Sequence, residues 1–261
     1  MERTEDFYAN AFERIDRSII APFIHRGSCV VDIGAHIGFF ACLCADKVGP
    51  EGRVIAFEPT PQTFDQLQLN IGLNNFQNRF EVHRVALSDV KGKASFNLFS
   101  SDAGVYNSLN VTEAYGHRSQ EKITVETDLL DNLVQGICAE SISFIKIDVE
   151  GNEHRVIQGG ERTLKAASNA LLMIELHEAA ARQGGCSVVD TVTKLEELGL
   201  KAFRSSPHGK LQLLGPQGLQ SLLVDASVSQ NVFFLSERLQ NRLEAVAKPA
   251  EHCTWLTSLM K

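Results

Sequence analysis

Five short apolar runs recur along the chain: CVVDIG (29–34), RVIAFEP (53–59), FEVHRVALSD (80–89), FIKIDV (144–149) and ALLMIELHE (170–178). CVVDIG is a short continuous apolar run ending at Asp32 and Gly34, the pattern of a strand covered on both faces in a parallel sheet, and the other four read as further core strands. Helical stretches lie between most of them, including FFACLCADKVG, TPQTFDQLQLNIGLNN and NEHRVIQGGERTLKAAS. In the second of these, Thr60 stands as N-cap and Pro61 at the first helical position. Strand and helix thus alternate at βαβ spacing, which requires parallel pairing with right-handed crossovers. With 261 residues, 44% of them hydrophobic, the chain can bury one large core, and a single α/β domain with decorations follows.

The alternation is interrupted once and then gives way. KASFNLFSS and KITVETDLL read as two extended segments around the polar loop DAGVYNSLNVTEAYGHRSQE, an insertion at about 92–127 lying over one face. TDLLDNLVQG reads as a short helix. Further on, SVVDTVTKLEELGL is amphipathic and stops at Gly199, and KAFRS, KLQLLGP and NVFFLSE read as closing strands whose short connections favour antiparallel pairing. Residues 1–27 form an expected N-terminal helical cap on Phe7, Phe12, Ile15, Ile19, Ile20 and Phe23, broken at Pro22. Residues 28–236 form the main domain, and 237–261 a helical tail.

Charge and composition exclude several function classes. The net charge is -7 and no Lys/Arg cluster is dense enough to track phosphates, so a nucleic-acid duplex is not the expected partner. The six cysteines (Cys29, Cys42, Cys44, Cys138, Cys186, Cys253) include no C-x-x-C pair and read as buried thiols of a reducing compartment. MERTEDFYANAFERID lacks an apolar core and no window is long enough to span a bilayer, so a soluble, cytoplasmic protein is expected, with no membrane partner. A small or locally presented substrate fits better. The segment around Trp255 caps the core, closes over substrate or forms a homodimer contact.

VVDIGAHIGFF (30–40) is the strongest local motif, with Asp32, Gly34, Ala35 and Gly38 in a turn from a buried strand into a helix N-terminus. The spacing Asp-x-Gly-x-x-x-Gly is not G-x-G-x-x-G, because His36 stands where a pyrophosphate needs backbone contact. Nor is it a P-loop, since no Gly-Lys-Ser/Thr follows. An acidic residue two before the first glycine suits a ligand that carries both an amino group and a carboxylate, as the amino-acid end of S-adenosylmethionine does. Glu58 ends the second strand 20 residues beyond Gly38, where a carboxylate can accept from both ribose hydroxyls, and Pro59 stops the strand there. Leu87 with Ser88 or Asp89, at the end of the third run, is placed to meet the adenine.

The blocks VVDIGAHIGFF, VIAFEP, VALSD, FIKIDVEGNE and LLMIELH occur in the order seen in FkbM-type S-adenosylmethionine-dependent methyltransferases, and the chain resembles that family over about 28–178. The resemblance implies a class I methyltransferase fold, Rossmann-like, with a seven-stranded mostly parallel sheet, one antiparallel strand and helices on both faces. It also implies methyl transfer, most often to a hydroxyl of a sugar or polyketide-like product, and cofactor positions at Asp32, Gly34, Gly38 and Glu58. His36 occupies a position where the family often has Asn or another small polar residue. NSL (107–109) resembles a Ser-bearing family block, making Asn107 and Ser108 substrate-side candidates. Nothing beyond residue 180 carries the resemblance.

The crowded acidic end of FIKIDVEGNEH now has a reason. Ligands of an open α/β sheet sit outside the carboxyl ends of its strands, which brings Asp148, Glu150, Glu175 and His177 to the cofactor crevice. Methyl transfer from a sulfonium is an in-line displacement, helped by positioning and by a base that takes the acceptor's proton. Histidine titrates near neutrality, so His177 is a candidate base oriented by Glu175; Asp148 is the alternative base or the residue that positions the hydroxyl. Asp148 also belongs to the expected cofactor set, and Glu150 to the substrate side. A divalent ion on Asp148, Glu175 and His177 is compatible with the donor types but is not expected. Glu153 opens the next helix, Lys146 neutralises a carboxylate, and His154 is a solvated helix residue. Three rivals stand beside O-methylation: methylation of nitrogen or of a macromolecule, a nucleotide-binding module without chemistry, and a dehydrogenase.

Overall fold

A computed structural model describes residues 14–98, 109, 121–206, 209–215, 218–220 and 228–241. It contains α1 (Arg14–Ile20), β1 (Cys29–Ile33), α2 (Phe39–Val48), β2 (Arg53–Phe57), α3 (Pro61–Leu73), β3 (Phe80–His83), β4 (Ala86–Leu87), β5 (Gly92–Leu98) and β6 (Glu121–Asp128). These are followed by α4 (Leu130–Leu133), β7 (Ile142–Ile147), α5 (Glu153–Gly159), α6 (Glu161–Ala166), β8 (Leu171–Leu176), α7 (Glu178–Gln183), α8 (Val188–Glu197), β9 (Leu200–Ser205), β10 (Leu211–Leu213) and β11 (Gln230–Ser236). The expected helices 1–13 and 242–261 lie outside the described residues, as do Asn107 and Ser108.

The main sheet runs β10-β9-β11-β8-β7-β1-β2-β3. The five apolar strands β1, β2, β3, β7 and β8 pair in parallel, while β11 runs antiparallel to both β8 and β9. The sheet therefore has eight strands rather than seven. The additional one is β10, which folds back antiparallel on β9 through a turn closed by Ser206 N–H to Lys210 O at 2.8 Å and Lys210 N–H to Ser206 Oγ at 3.0 Å.

Parallel strands alternate their side chains between two apolar layers. Val31, Ile33, Ile55, Ile145, Ile147, Leu172 and Ile174 pack with α5 and α8. Val30, Val54, Phe144, Leu171 and Met173 pack on the other face with Ile19, Ile20, Phe40, Ala41 and Cys44 of α1 and α2. Register carries Asp32 opposite Lys146 on neighbouring strands, in phase with Val30 and Phe144, so both polar side chains point into the α2 side near the strand ends.

Two sequence expectations change. FEVHRVALSD is not one strand but two, parting at Arg84 and Val85. His83 O still accepts the Glu58 N–H at 3.1 Å, after which β4 leaves the main sheet and pairs in parallel with β6. Val85 and Leu87 face the central core while Ala86 packs with Phe96 and Val125, so β4 joins the two cores. The insertion supplies the second sheet, order β4-β6-β5, with β5 and β6 antiparallel from Gly92↔Thr127 to Leu98↔Glu121. NEHRVIQGGERTLKAAS is likewise two short helices, α5 and α6, meeting at Gly160. Among the described residues no helix is long and apolar enough to cross a membrane.

Candidate functional site

The turn between β1 and α2 is closed almost entirely by backbone. Gly34 and Ala35 N–H groups both donate to Phe57 O at 3.0 Å, and Gly38 N–H donates to Ala35 O at 2.8 Å. From α3, Asn70 Nδ2 donates to Ile37 O at 2.8 Å. Gly34 and Gly38 have φ of 79° and 88°, the left-handed region open to residues without Cβ. A Cβ on Gly34 would stand 1.8 Å from Asp148 O, and one on Gly38 2.4 Å from Leu67 Cδ1. His36 also has positive φ, 51°. Asn and His are among the side chains that tolerate this region, which gives a backbone reason for a histidine at a position where Asn is common.

Asp32 is 2% exposed, and neither of its carboxylate oxygens has a hydrogen-bond partner. Burial raises its pKa to about 6; Lys146 pulls it down, Asp148 and Glu58 push it up, and the Ala41 N–H helps without reaching hydrogen-bond geometry. A buried carboxylate left without donors is costly unless something else supplies them. Beside a turn that excludes side chains, this orphaned group fits the protonated amino group of an amino-acid moiety.

Glu58 is anchored. Its Oε2 accepts the His36 N–H at 3.0 Å, and its Oε1 accepts the Thr60 N–H at 2.9 Å and the Thr63 hydroxyl at 2.7 Å. A carboxylate offers about four lone-pair directions. Thr63 Oγ1–H also reaches Thr60 O at 3.1 Å, so this hydroxyl can turn away when another donor arrives. Thr60 precedes α3 as expected, with Pro61 following, but its hydroxyl forms no cap bond. Leu87 and Ser88 are buried; Leu87 O accepts Asn152 Nδ2 at 3.1 Å and Ser88 N–H donates to Asp128 O at 3.0 Å. Ser88 Oγ donates to Asp89 Oδ1 at 3.0 Å, and Arg155 reaches the same oxygen at 3.4 Å.

The segment after β7 is held by buried charge. Lys146 Nζ donates to Asp148 Oδ2 at 2.7 Å and lies 5.5 Å from the centre of the Phe40 ring. Burial would lower the Lys146 pKa, but Asp148, Asp32 and Glu175 together hold it above the usual lysine value. Past Asp148 the chain turns sharply, with φ of 55° at Glu150 and 94° at Gly151. Glu153, 3% exposed, closes that turn by accepting the Gly151 and Val149 N–H groups on Oε1 at 3.0 and 3.3 Å. Its burial raises its pKa to about 7, opposed by those same hydrogen bonds. Glu153 opens α5 as the sequence indicates, yet as a buried clasp rather than a solvated helix end.

His177 is 3% exposed and serves as N-cap of α7: its Nδ1 accepts the Ala180 N–H at 3.0 Å. That bond puts the proton of the neutral ring on Nε2. Asp148, Glu58 and Lys146 act electrostatically on Asp32, and Asp148, Asp32 and Glu175 on Lys146, so these charges gather near the strand ends. Glu150 lies in the turn after Asp148, and Pro59 after Glu58. Among the described residues, no group of three or more His, Cys, Asp or Glu side chains is placed to hold a metal ion. Sequence reasoning missed Asn70, Thr63 and Asn152, whose partners are 33, 5 and 65 residues away; only the GNE after the acidic strand end hinted at Asn152.

The chain is similar to known proteins in sequence and in fold. The family model described as the Methyltransferase FkbM domain matches residues 32–202, well over half of the chain. The Hexuronic acid methyltransferase AglP of Haloferax volcanii is 29% identical over 146 residues, 56% of this chain and 54% of that protein. The 2-O-methyltransferase NoeI of Sinorhizobium fredii is also 29% identical, over 58% of this chain and 65% of its own length. This chain thus spans between half and two thirds of these relatives. A methyltransferase of Streptococcus mutans solved with SAH has a TM-score of 0.51 at 8% identity, covering 85% of this chain and 95% of that one, a likeness of fold alone. With a mostly parallel sheet carrying helices on both faces, the fold is that of class I methyltransferases, and the chain belongs to the FkbM methyltransferase family.

Proposed function

We propose that the protein transfers a methyl group from S-adenosylmethionine to a hydroxyl of a small metabolite, with a sugar as the first candidate. The observation that carries this reading is the donorless buried carboxylate of Asp32 beside the Gly34–Gly38 turn, with Glu58 anchored across it. Asp32 would hold the amino group, the turn the methionine end, and Glu58 the ribose once Thr63 gives way. Leu87 and Ser88, whose backbone is fixed by Asn152 and Asp128, would border the adenine. When bound, the cofactor supplies a sulfonium methyl group open to in-line attack. The sugar is favoured by two relatives, one named for a hexuronic acid and one for a 2-O position.

On the acceptor side, Asp148 has Oδ2 committed to Lys146 and its second oxygen for an incoming hydroxyl. It orients that hydroxyl and takes its proton, which in general contributes about 10² to 10⁴-fold. The capping bond at Nδ1 makes His177 a donor through Nε2 in its neutral form, so Asp148 is the better base and His177 positions the start of α7. Glu175 belongs to the charged group around Lys146. Incubation with methyl-labelled S-adenosylmethionine and a panel of uronic acids, neutral sugars, polyketide alcohols and amines tests the reading. Label on a sugar hydroxyl is the expected product; label on amines alone would overturn it.

A further inference from the structure

We propose that Lys146 is a positioning residue with two tasks: its ammonium keeps the Asp32 carboxylate charged for the cofactor's amino group, and it fixes Asp148 on the acceptor side. This rests on the reading that the β1–α2 turn holds S-adenosylmethionine. The geometry is that of a shared counter-ion. Asp32 and Lys146 are register partners on adjacent strands and point into the same layer. Both are nearly inaccessible, at 2% and 6% exposure, and Lys146 Nζ is 2.7 Å from Asp148 Oδ2. The Phe40 ring, 5.5 Å from the ammonium, closes the α2 side.

Other groups around Asp32 are mostly negative or neutral. Asp148 follows β7, Glu58 follows β2, Glu175 reaches Lys146 from β8, and the Cys42 and Cys44 thiols on α2 are raised by burial and by Asp32 itself. His36, in the turn, is lowered by burial while Glu58 and Asp148 pull it the other way. Lys146 is thus the cation on which the ionised state of Asp32 depends. An opposite charge at short range moves a carboxyl pKa by about one to three units.

Calorimetric titration with S-adenosylmethionine between pH 5 and 7.5 reads this out, below the range near 8 where an α-amino group loses its own proton. The native protein should bind about tenfold more tightly at pH 7 than at pH 5, following ionisation of a group whose pKa is about 6. Lys146→Met should bind more weakly throughout and still be gaining affinity at pH 7, its midpoint having moved up by about one to three units. His36→Asn should keep the native midpoint, separating the imidazole from the effect. Should Lys146→Met not fold alone, removing both partners decides: Asp148 itself pushes the Asp32 pKa up, so Asp148→Asn should lower the midpoint, and Lys146→Met added to it should raise the midpoint again. An unchanged midpoint in Lys146→Met, with affinity scaled equally at every pH, would show a merely structural lysine and overturn the proposal, as would a double variant whose midpoint stays at that of Asp148→Asn alone. No binding by the native protein at any pH would instead remove the cofactor reading itself.

Discussion

From β1 to α3, on the proposed cofactor side, the turn is held by main-chain groups: Phe57 O takes two N–H donors, Ile37 O is met by Asn70, and the His36 N–H reaches Glu58. After β7, on the proposed acceptor side, ionic side chains hold the loop instead: Lys146 fixes Asp148, and the Glu153 carboxyl clasps two amides of a turn with positive φ at Glu150 and Gly151. A backbone-closed cradle is shaped before ligand arrives, and its fold, unlike the charge of Asp32 within it, changes little with pH. A charge-held loop is adjustable, and its geometry depends on which groups carry protons.

Substitutions on the two sides should therefore fail differently. The largest effect is expected on the acceptor side: Asp148→Asn should lower kcat by about 10² to 10⁴-fold while cofactor affinity at pH 7.5 changes by less than about threefold. Comparable losses in both would merge the two sides into one. On the cofactor side, Gly34→Ala should lower unfolding free energy by about 3 kcal/mol or more, since its methyl meets Asp148 O and its φ is positive. Gly136→Ala, with φ of 90° and nothing within 4 Å, should cost only about 1–2 kcal/mol in the same denaturant titration.

The Glu153 clasp gives a prediction with a sign. Its folded pKa, about 7, is above the ordinary 4.5, so the native state holds a proton that the unfolded chain releases. Stability is therefore lost as pH rises from about 4.5 to 7. Glu153→Gln keeps an oxygen acceptor without the charge, and should gain up to about 3 kcal/mol over the native protein at pH 8 but nothing at pH 4. The smallest effect is expected at His177, where Ala removes the α7 cap and costs about 1 kcal/mol. Turnover should fall far less than in Asp148→Asn; an equal fall would return the base role to the imidazole.

Much of this contrast is readable in the residues. β1, β2, β7 and β8 are short and mostly apolar, and Asp32, Gly34, Gly38 and Glu58 lie within 27 positions, so local spacing alone brings them together. The split of β3 from β4 was not readable, because it depends on His83 O meeting Glu58 N–H and on a partner, β6, more than 30 residues further on. The role of Lys146 needed the register of β1 against β7, which no window of sequence contains. His177 looked like a base because its residue type suits one; the Ala180 N–H on Nδ1 reveals the cap, and that bond exists only once α7 has formed.

The cradle is tested most directly by a crystal structure of the protein with S-adenosylmethionine. The expected result has the amino group about 3 Å from the Asp32 carboxylate and both ribose hydroxyls on Glu58, with Thr63 rotated away. A donor bound elsewhere, with Asp32 still lacking a partner and Thr63 still on Glu58, would contradict it.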